Sequence, residues 1–150
     1  MQQLRTHSVF ALKDRLSISK VIICTDGAAR GNPGPAAIGV TIKDEKGNLI
    51  ASISRRIGIT TNNQAEYQSI IAALEKAISL GTRYVELKSD SELVVKQING
   101  QYKIKSTTLR PLYQKVVQLI GSLAGFTIAY IPREINTEAD NLANQALDTL

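Results

Sequence analysis

Several residue types are scarce in this chain of 150 residues, and each scarcity excludes a class of protein. One cysteine, Cys24, allows no internal disulfide, which is typical of a reducing compartment. One histidine, His7, leaves no Cys/His cluster of the kind that binds zinc. No apolar run approaches the roughly 20 residues that span a bilayer, and the N-terminal residues lack the apolar segment of a signal peptide. We therefore expect a cytoplasmic protein without a membrane segment.

Acidic residues are outnumbered by basic ones, and their distribution is uneven. The formal net charge is +5 and the sequence pI is about 9.4, which favours a polyanionic partner. From Leu93 to Arg133 there is no acidic residue. Four basic residues of that span, here called the basic strip, are candidates for contact with a phosphate backbone: Lys96, Lys103, Lys105 and Arg110. The alternative is a solvated face that happens to be basic.

The hydrophobic pattern predicts one α/β domain over residues 20–150, preceded by an N-terminal arm at residues 1–19. Strands are predicted at 20–26, 36–43, 49–57, 84–88 and 126–131. Helices are predicted at 61–80, 89–98, 108–123 and 137–147. Three strands followed by alternating helices and strands indicate a mixed sheet with helices on its faces. Thr61 and Gln64 match a capping box at the start of the first helix.

The first predicted strand ends in an acidic residue. Val21 to Cys24 are apolar at four successive positions, which predicts a central strand covered on both faces. Asp26 follows, and three glycines and two prolines come within the next nine residues. A carboxylate at the end of a buried strand, beside bare backbone amides, suits a site for metal and phosphate. The alternative is an ordinary strand end and loop.

Three further acids occupy positions where a charge is costly. Glu66 lies four residues before Ile70 and shares the apolar side of its helix. Asp90 follows a mostly buried strand, and Asp140 lies beside the apolar stripe of the last helix. Each has a structural alternative: a solvated flank position for Glu66, an N-cap for Asp90 and a favourable first-turn charge for Asp140.

Four carboxylates at one end of a sheet would repel each other and raise each other's pKa. A divalent cation removes that conflict. An oxygen-only ligand set favours Mg²⁺, with Mn²⁺ as a possible substitute. Paired metals of this kind serve in-line displacement at phosphorus.

Two amides stand beside one of these acids. Asn62 and Asn63 fall in the first turn of the Glu66 helix, where short amides and free backbone N–H groups can contact phosphate or base edges. They can equally be capping residues, and both interpretations can hold together.

Four motifs occur in the order and spacing of type 1 ribonuclease H, and the chain resembles that family over about residues 20–148. They are Thr25-Asp26-Gly27 with Gly31-Asn32-Pro33-Gly34, Thr61-Asn62-Asn63-Gln64-Ala65-Glu66, Ser89-Asp90-Ser91, and Glu138-Ala139-Asp140. The resemblance implies a five-stranded mixed sheet in the order 3-2-1-4-5, flanked by helices. It also implies hydrolysis of the RNA strand of an RNA–DNA hybrid, leaving 3′-hydroxyl and 5′-phosphate ends.

The resemblance also implies residue roles. Asp26, Glu66, Asp90 and Asp140 match the catalytic, metal-binding carboxylates, with one metal activating water and the other stabilising the leaving 3′-oxygen. Further positions match those that grip the hybrid: Asn32, Thr61, Asn62 and Asn63, with Thr61 at a DNA-phosphate pocket. Backbone near Gly27 and Ala28 would face RNA 2′-hydroxyls, which is how a protein distinguishes RNA from DNA.

The chain departs from the family pattern in two places. Many members carry a histidine in the loop before the last helix, whereas residues 132–136 contain none, which leaves Arg133 or Glu134 as candidates for its role. Some members have a long basic protrusion with tryptophan, and residues 101–107 are too short for it. We expect the basic strip to supply hybrid affinity instead.

Two alternatives to a hybrid-specific nuclease remain at this point. One keeps the fold but changes the substrate to double-stranded RNA or junctions. The other is a hybrid-binding module without catalysis, which the presence of all four acids argues against. We expect a monomer with a nucleic-acid partner.

Overall fold

A computed structural model describes residues 18–149 of the chain. Within this range lie five strands, four α-helices and one 3₁₀ turn: β1 (Lys20–Ala29), β2 (Gly34–Lys43), β3 (Leu49–Thr60), α1 (Asn62–Ser79), β4 (Tyr84–Ser89), α2 (Glu92–Ile98), α3 (Arg110–Ile120), β5 (Gly125–Tyr130), the 3₁₀ turn (Arg133–Ile135) and α4 (Thr137–Asp148). The predicted arm at residues 1–19, with His7, lies outside the described residues except for its last two positions.

The strands form one sheet in the order β3-β2-β1-β4-β5. The first three are antiparallel neighbours, while β4 and β5 join β1 in parallel. This arrangement confirms the mixed sheet and the strand order that the sequence predicts. Of the helices in residues 18–149, none has the length and apolar character that crossing a membrane requires.

The strand β1 does not end at Asp26, as predicted, but continues to Ala29. The physical reason is that β1 continues to pair with its antiparallel neighbour β2 beyond Asp26. Gly27 to Ala29 pair with Ala36 to Ile38 of β2, so the backbone there is paired and not bare. The sharp turn comes after Ala29, where the amide of Arg30 donates to the carbonyl of Pro35 at 2.8 Å.

Other elements also differ from their predicted bounds. The strand β2 begins at Gly34 and not at residue 36, because Gly34 and Pro35 pair with β3. Helix α2 begins at Glu92 and not at residue 89, because Ser91 is its N-cap.

The strand β3 continues past residue 57 to Thr60, because a register shift opposite residues 36 and 37 lets its pairing with β2 resume. Helix α3 is shorter than the predicted 108–123 and starts at Arg110, since the Ser106 hydroxyl accepts from the amides of Thr108 and Leu109 and so organises a turn ahead of it.

Helix α1 begins and ends as its sequence predicts. The hydroxyl of Thr61 accepts from the amide of Gln64 at 3.2 Å, and the Gln64 side chain accepts from the amide of Thr61 at 3.0 Å, which completes the capping box. Gly81 follows the last turn with φ of +80°, a conformation that glycine adopts without strain. Position 66 is thereby fixed in the second turn of the helix.

The apolar stripe of α1 covers one face of the sheet. Tyr67, Ile70 and Leu74 are fully buried against strand residues such as Ile23 and Leu87. Because α1 lies over the centre of the sheet, it brings its first turns to the end of β1 that carries Asp26.

Helix α4 packs on the opposite face, over β1, β2 and β3. It comes so close to β2 that a methyl group at Gly39 would overlap the carbonyl oxygen of Ala139. Its far end is held by Arg56 of β3, whose guanidinium donates to the carbonyls of Ala146 at 3.0 Å and Leu147 at 2.8 Å. A cation at a helix C-terminus also stabilises the helix dipole.

We predict that Gly39→Ala will lower the free energy of unfolding by about 3 kcal/mol, because the methyl group must push α4 away from β2. Urea unfolding at equilibrium measures this change. The control is Gly121→Ala at the end of α3, where the nearest atom to an added methyl group is 3.3 Å away. Equal stability of the two variants would contradict direct backbone packing of α4 on the sheet.

Candidate active site

Three acidic side chains meet at one end of the sheet. Asp26 of β1, Glu66 of α1 and Asp90, just after β4, each offer one carboxylate oxygen, and these oxygens lie within 4.8 Å of one another. Asp26 is 1% exposed and Glu66 is 7% exposed. The structure therefore brings together acids that are 40 and 24 positions apart in the sequence.

Glu66 reaches this point because α1 touches β1 without an intervening side chain. The amide of Gly27 donates to Oε1 of Glu66 at 2.8 Å in a buried setting. A methyl group at Gly27 would overlap the backbone of Ala65 and Glu66, so only glycine permits this approach. The backbone amide of Gly27, the residue after Asp26, thus fixes the position of the Glu66 carboxylate.

Asp140 is not one of the three acids whose oxygens lie within 4.8 Å of one another, and it approaches Asp26 from the other face of the sheet. Asp26 pairs with Gly39 across β1 and β2, and cross-strand partners share a face, which here is the face covered by α4. Asp140 acts on Asp26 as a hydrogen-bonding neighbour and as a charge, and both effects raise the pKa of Asp26. Asp140 also accepts from Nδ2 of Asn144, one turn further along α4, at 3.2 Å. Asp26 is therefore the member that connects Asp140 with the other two acids.

The protonation of the cluster follows from this crowding. Burial, then the charges of Asp90 and Asp140, raise the pKa of Asp26 to about 8. Burial, followed by the charges of Asp26 and Asp90, also raises the pKa of Glu66 well above its usual value. Negative charge on all members at neutral pH is therefore costly unless a cation compensates it.

The structure excludes the structural alternatives for two of these acids and supports the one for Asp140. Asp90 is not an N-cap, because Ser91 occupies that position and its hydroxyl accepts from the amide of Val94. Glu66 is not on a solvated flank, since it is buried. Asp140 does lie in the first turn of α4, so its favourable position in the helix dipole coexists with its place in the cluster.

The residues fit a hard divalent cation. Oδ1 of Asp26 is buried and has no hydrogen-bond partner among residues 18–149. An orphaned buried carboxylate oxygen is expensive in a protein, whereas a metal ion would satisfy it. All the donors are carboxylate oxygens, which suits Mg²⁺ or Mn²⁺ better than zinc.

Asparagines brace the turn after β1 against the start of α1. The side-chain oxygen of Asn32 accepts from the amide of Asn62 at 3.1 Å. The side-chain oxygen of Asn62 accepts in turn from the amide of Ala29 at 3.0 Å. Both residues are exposed, and Asn63 beside them is half-buried. Asn32 and Asn62 thus have structural roles, because they join the turn after β1 to the start of α1.

Gly27, Ala28 and Thr61 were also candidates for contact with substrate. Gly27 is buried and its amide is taken by Glu66. Ala28 is half-buried within β1, where it pairs with Ala37. Thr61 is half-buried and its hydroxyl is engaged in the capping box.

The basic strip lies along α2, the following loop and the start of α3. Lys96 is already engaged: its Nζ lies 3.4 Å from Glu92, 3.3 Å from the Tyr102 hydroxyl and 5.0 Å from that ring's centroid. Lys103 and Arg110 line one cavity of about 290 Å³ together with Tyr102 and Tyr113. Lys105 is exposed and lies outside this lining.

The loop before α4 contributes to the site although it has no histidine. The positive charge of Arg133 acts to lower the pKa of Asp26, so its guanidinium is within electrostatic range. Asn136 is buried, and its side-chain nitrogen donates to Oδ2 of Asp90 at 3.0 Å. Asn136 was not among the residues predicted from the sequence. An amide four residues before an acid of the cluster is a weak signal for such a role.

Comparisons with known proteins agree with this geometry. A family model described as reverse transcriptase-like matches residues 24–146. Ribonuclease HI of Halobacterium salinarum is 44% identical over 123 residues, or 82% of this chain. Its crystal structure superposes with a TM-score of 0.84, covering 86% of this chain and 98% of that one. The crystal structure of LC11-RNase H1 in complex with RNA/DNA hybrid is 47% identical, with a TM-score of 0.82 over 85% and 96% of the two chains.

The chain spans only part of the curated relatives that it matches. It covers 62% of the Halobacterium protein. It covers 36% of the bifunctional protein Rv2228c of Mycobacterium tuberculosis, with 40% identity over 86% of this chain.

We predict that the metal-free protein will lose stability as the pH rises, and that Asp26→Asn will reduce this loss. The folded state holds a proton on Asp26 up to about pH 8, while the unfolded chain releases it near the usual value of 3.8. Raising the pH through this window therefore favours unfolding, by about 2–5 kcal/mol once Asp26 is ionised.

Unfolding temperatures measured in chelator from about pH 5 to about pH 9 test this. The exposed Glu45→Gln is the control, and an excess of Mg²⁺ should flatten the wild-type profile. Parallel profiles for wild type and Asp26→Asn would contradict the assigned protonation.

Proposed function

Because this chain belongs to the type 1 ribonuclease H family, we propose that it is an endoribonuclease that hydrolyses the RNA strand of RNA–DNA hybrids. The observation that carries the proposal is the convergence of Asp26, Glu66 and Asp90 within 4.8 Å, with Asp140 beside Asp26. A module that only bound hybrids would have no need to bear the cost of this buried cluster.

The four carboxylates would hold Mg²⁺, for which Mn²⁺ could substitute. Bound there, a pair of ions would supply Lewis-acid activation of water and stabilisation of the departing 3′-oxygen. The net reaction adds water across one P–O3′ bond of the RNA, leaving a 3′-hydroxyl and a 5′-phosphate. Gly27 keeps Glu66 oriented through its amide, and burial shields Asp26 and Glu66 from bulk water, while Asp90 and Asp140 are only half-buried.

The hybrid would be gripped beside the acids. Asn32, Asn62 and Asn63 would contact it, with Thr61 at a DNA phosphate and the backbone of Gly27 and Ala28 towards the RNA strand. The bracing contacts of Asn32 and Asn62 support this role, because they fix two exposed amides on rigid backbone before substrate arrives.

Arg133 is our preferred candidate for the work of the absent histidine. Its charge already acts on Asp26, and a guanidinium can contact phosphate oxygens with fixed geometry. Glu134, the other candidate, would add a fifth negative charge near the cluster.

The basic strip would contact a second part of the hybrid, at a distance from the acids. Lys103 and Arg110 share a cavity with two tyrosines, and Lys96 is kept in place by Tyr102.

A single half-buried cysteine is consistent with a reducing compartment, so we place the protein in the cytoplasm. We also propose that the protein is a monomer.

We predict that Asp90→Asn will abolish cleavage but leave hybrid binding intact, because the substitution removes a charge from the cluster and keeps its shape. The assay uses end-labelled RNA–DNA hybrid, duplex DNA and duplex RNA with Mg²⁺, Mn²⁺ or chelator. We expect wild type to cut only the RNA of the hybrid, and only with metal. Wild-type cleavage by Asp90→Asn would exclude the site, and cutting of duplex RNA would favour the alternative substrate.

We also predict that neutralising all four residues of the basic strip to glutamine will weaken hybrid binding and its salt dependence. Every phosphate that the variant no longer neutralises should reduce the slope of log K against log salt by about 0.9. The control is the double variant Lys46→Gln, Lys76→Gln, which removes exposed charges from other surfaces. An unchanged slope in the fourfold variant would contradict the role of the strip.

A further inference from the structure

Asn136 stands at the N-cap of α4 but does not cap the helix. Asparagine is among the best N-cap residues, because its side-chain oxygen can accept from a free amide of the first turn. Here only the backbone carbonyl of Asn136 takes part, accepting from the amide of Asp140 at 3.2 Å, and the side chain makes no capping bond. The chain therefore forgoes the helix stability that a side-chain cap would provide at this position.

The side chain turns into the protein instead. It is 2% exposed, and its nitrogen donates to the carbonyl of Thr25 and to Oδ2 of Asp90, both at 3.0 Å. Both partners are acceptors, so the amide nitrogen must face them. Its oxygen, Oδ1, is buried with no hydrogen-bond partner in the described part of the chain. A buried amide that leaves one end unpaired carries a further cost.

The two acceptors belong to neighbouring strands at the point where their pairing stops. The parallel ladder between β1 and β4 ends at Thr25 opposite Ser89. Beyond it come Asp26 of β1 and Asp90, just after β4, which would repel each other if both were ionised. The amide of Asn136 spans this gap. Among residues 18–149 it is the one amide that donates a hydrogen bond to the Asp90 carboxylate.

We propose that Asn136 is a positioning residue that holds Asp90 in the orientation needed to bind the divalent cation. The inference rests on the proposed metal-dependent function. Asn136 fixes one oxygen of Asp90 and ties it to the backbone next to Asp26, so two ligands from different strands keep their spacing before the metal arrives. A hydrogen-bond donor behind a metal ligand commonly orients that ligand, and its loss weakens metal binding.

The decisive variant is Asn136→Ser. Serine is a preferred N-cap residue, so a new capping bond offsets part of the stability lost with the two amide hydrogen bonds, and we expect this variant to remain folded. Its short hydroxyl cannot reach both acceptors, so we expect the dissociation constant for Mn²⁺ to rise about 10- to 100-fold. If Asn136 served only to stabilise the fold, the loss of Mn²⁺ affinity would follow the loss of stability from one variant to the next.

Mn²⁺ binding is measured by calorimetry on the protein without nucleic acid. Asn136→Ala is the harsher deletion, and Asn99→Ala is the matched control. Asn99 also donates from its amide to a strand carbonyl, that of Ile128, at 3.2 Å, but away from the acids. We expect Asn99→Ala to lose stability and keep wild-type Mn²⁺ affinity. In cleavage assays, Asn136→Ser should need more Mg²⁺ for half-maximal rate, with an unchanged KM for hybrid.

Two results would overturn the role of Asn136. The first is wild-type Mn²⁺ affinity in folded Asn136→Ser. The second is an equal loss of affinity in Asn99→Ala, which would indicate general loosening of the sheet. Because the titration needs no substrate, it remains informative even if wild type fails to cleave hybrids, a result that would count against the proposed function alone.

Discussion

Repulsion between closely packed, mostly buried carboxylates is the constraint around which this molecule is built. Three acids within 4.8 Å, and a fourth that raises the pKa of one of them, would separate if the backbone allowed it. The backbone does not allow it. Gly27 lets α1 rest directly on β1, and Gly39 lets α4 rest directly on β2, so both helices that carry acids are held by main-chain contact from opposite faces. A rigid scaffold of this kind places ligands before any metal is present.

Much of this arrangement is visible in the sequence because burial and charge conflict there. Glu66 shares an apolar helix face, and a charge on such a face requires compensation. The apolar run before Asp26 marks a central strand, and the order of strands and helices restricts the topology to few choices. The four carboxylates and the capping box of α1 were therefore predictable from local patterns, whereas the strand order came from the family resemblance. The resemblance to type 1 ribonuclease H adds the substrate.

Other features depend on partners that are distant in sequence. That β1 continues through Gly27 follows from pairing with β2, which no local pattern around Asp26 reveals. Aspartate and serine are both good N-cap residues, so either Asp90 or Ser91 could cap α2. In the structure Ser91 is the N-cap, and Asp90 lies among the clustered acids. Asn136 resembles an ordinary cap in the sequence. Only its hydrogen bonds to residues 111 and 46 positions away show that its amide points elsewhere.

The order in which the site residues occur along the chain bears on synthesis by the ribosome. Translation releases β1, α1 and β4 first, so a nascent chain carries Asp26, Glu66 and Asp90 while the sheet surface around Gly39 is still bare. Asp140 and Asn136 arrive only with the final helix. Any chemistry that requires them cannot begin until α4 has been made and has packed on the sheet.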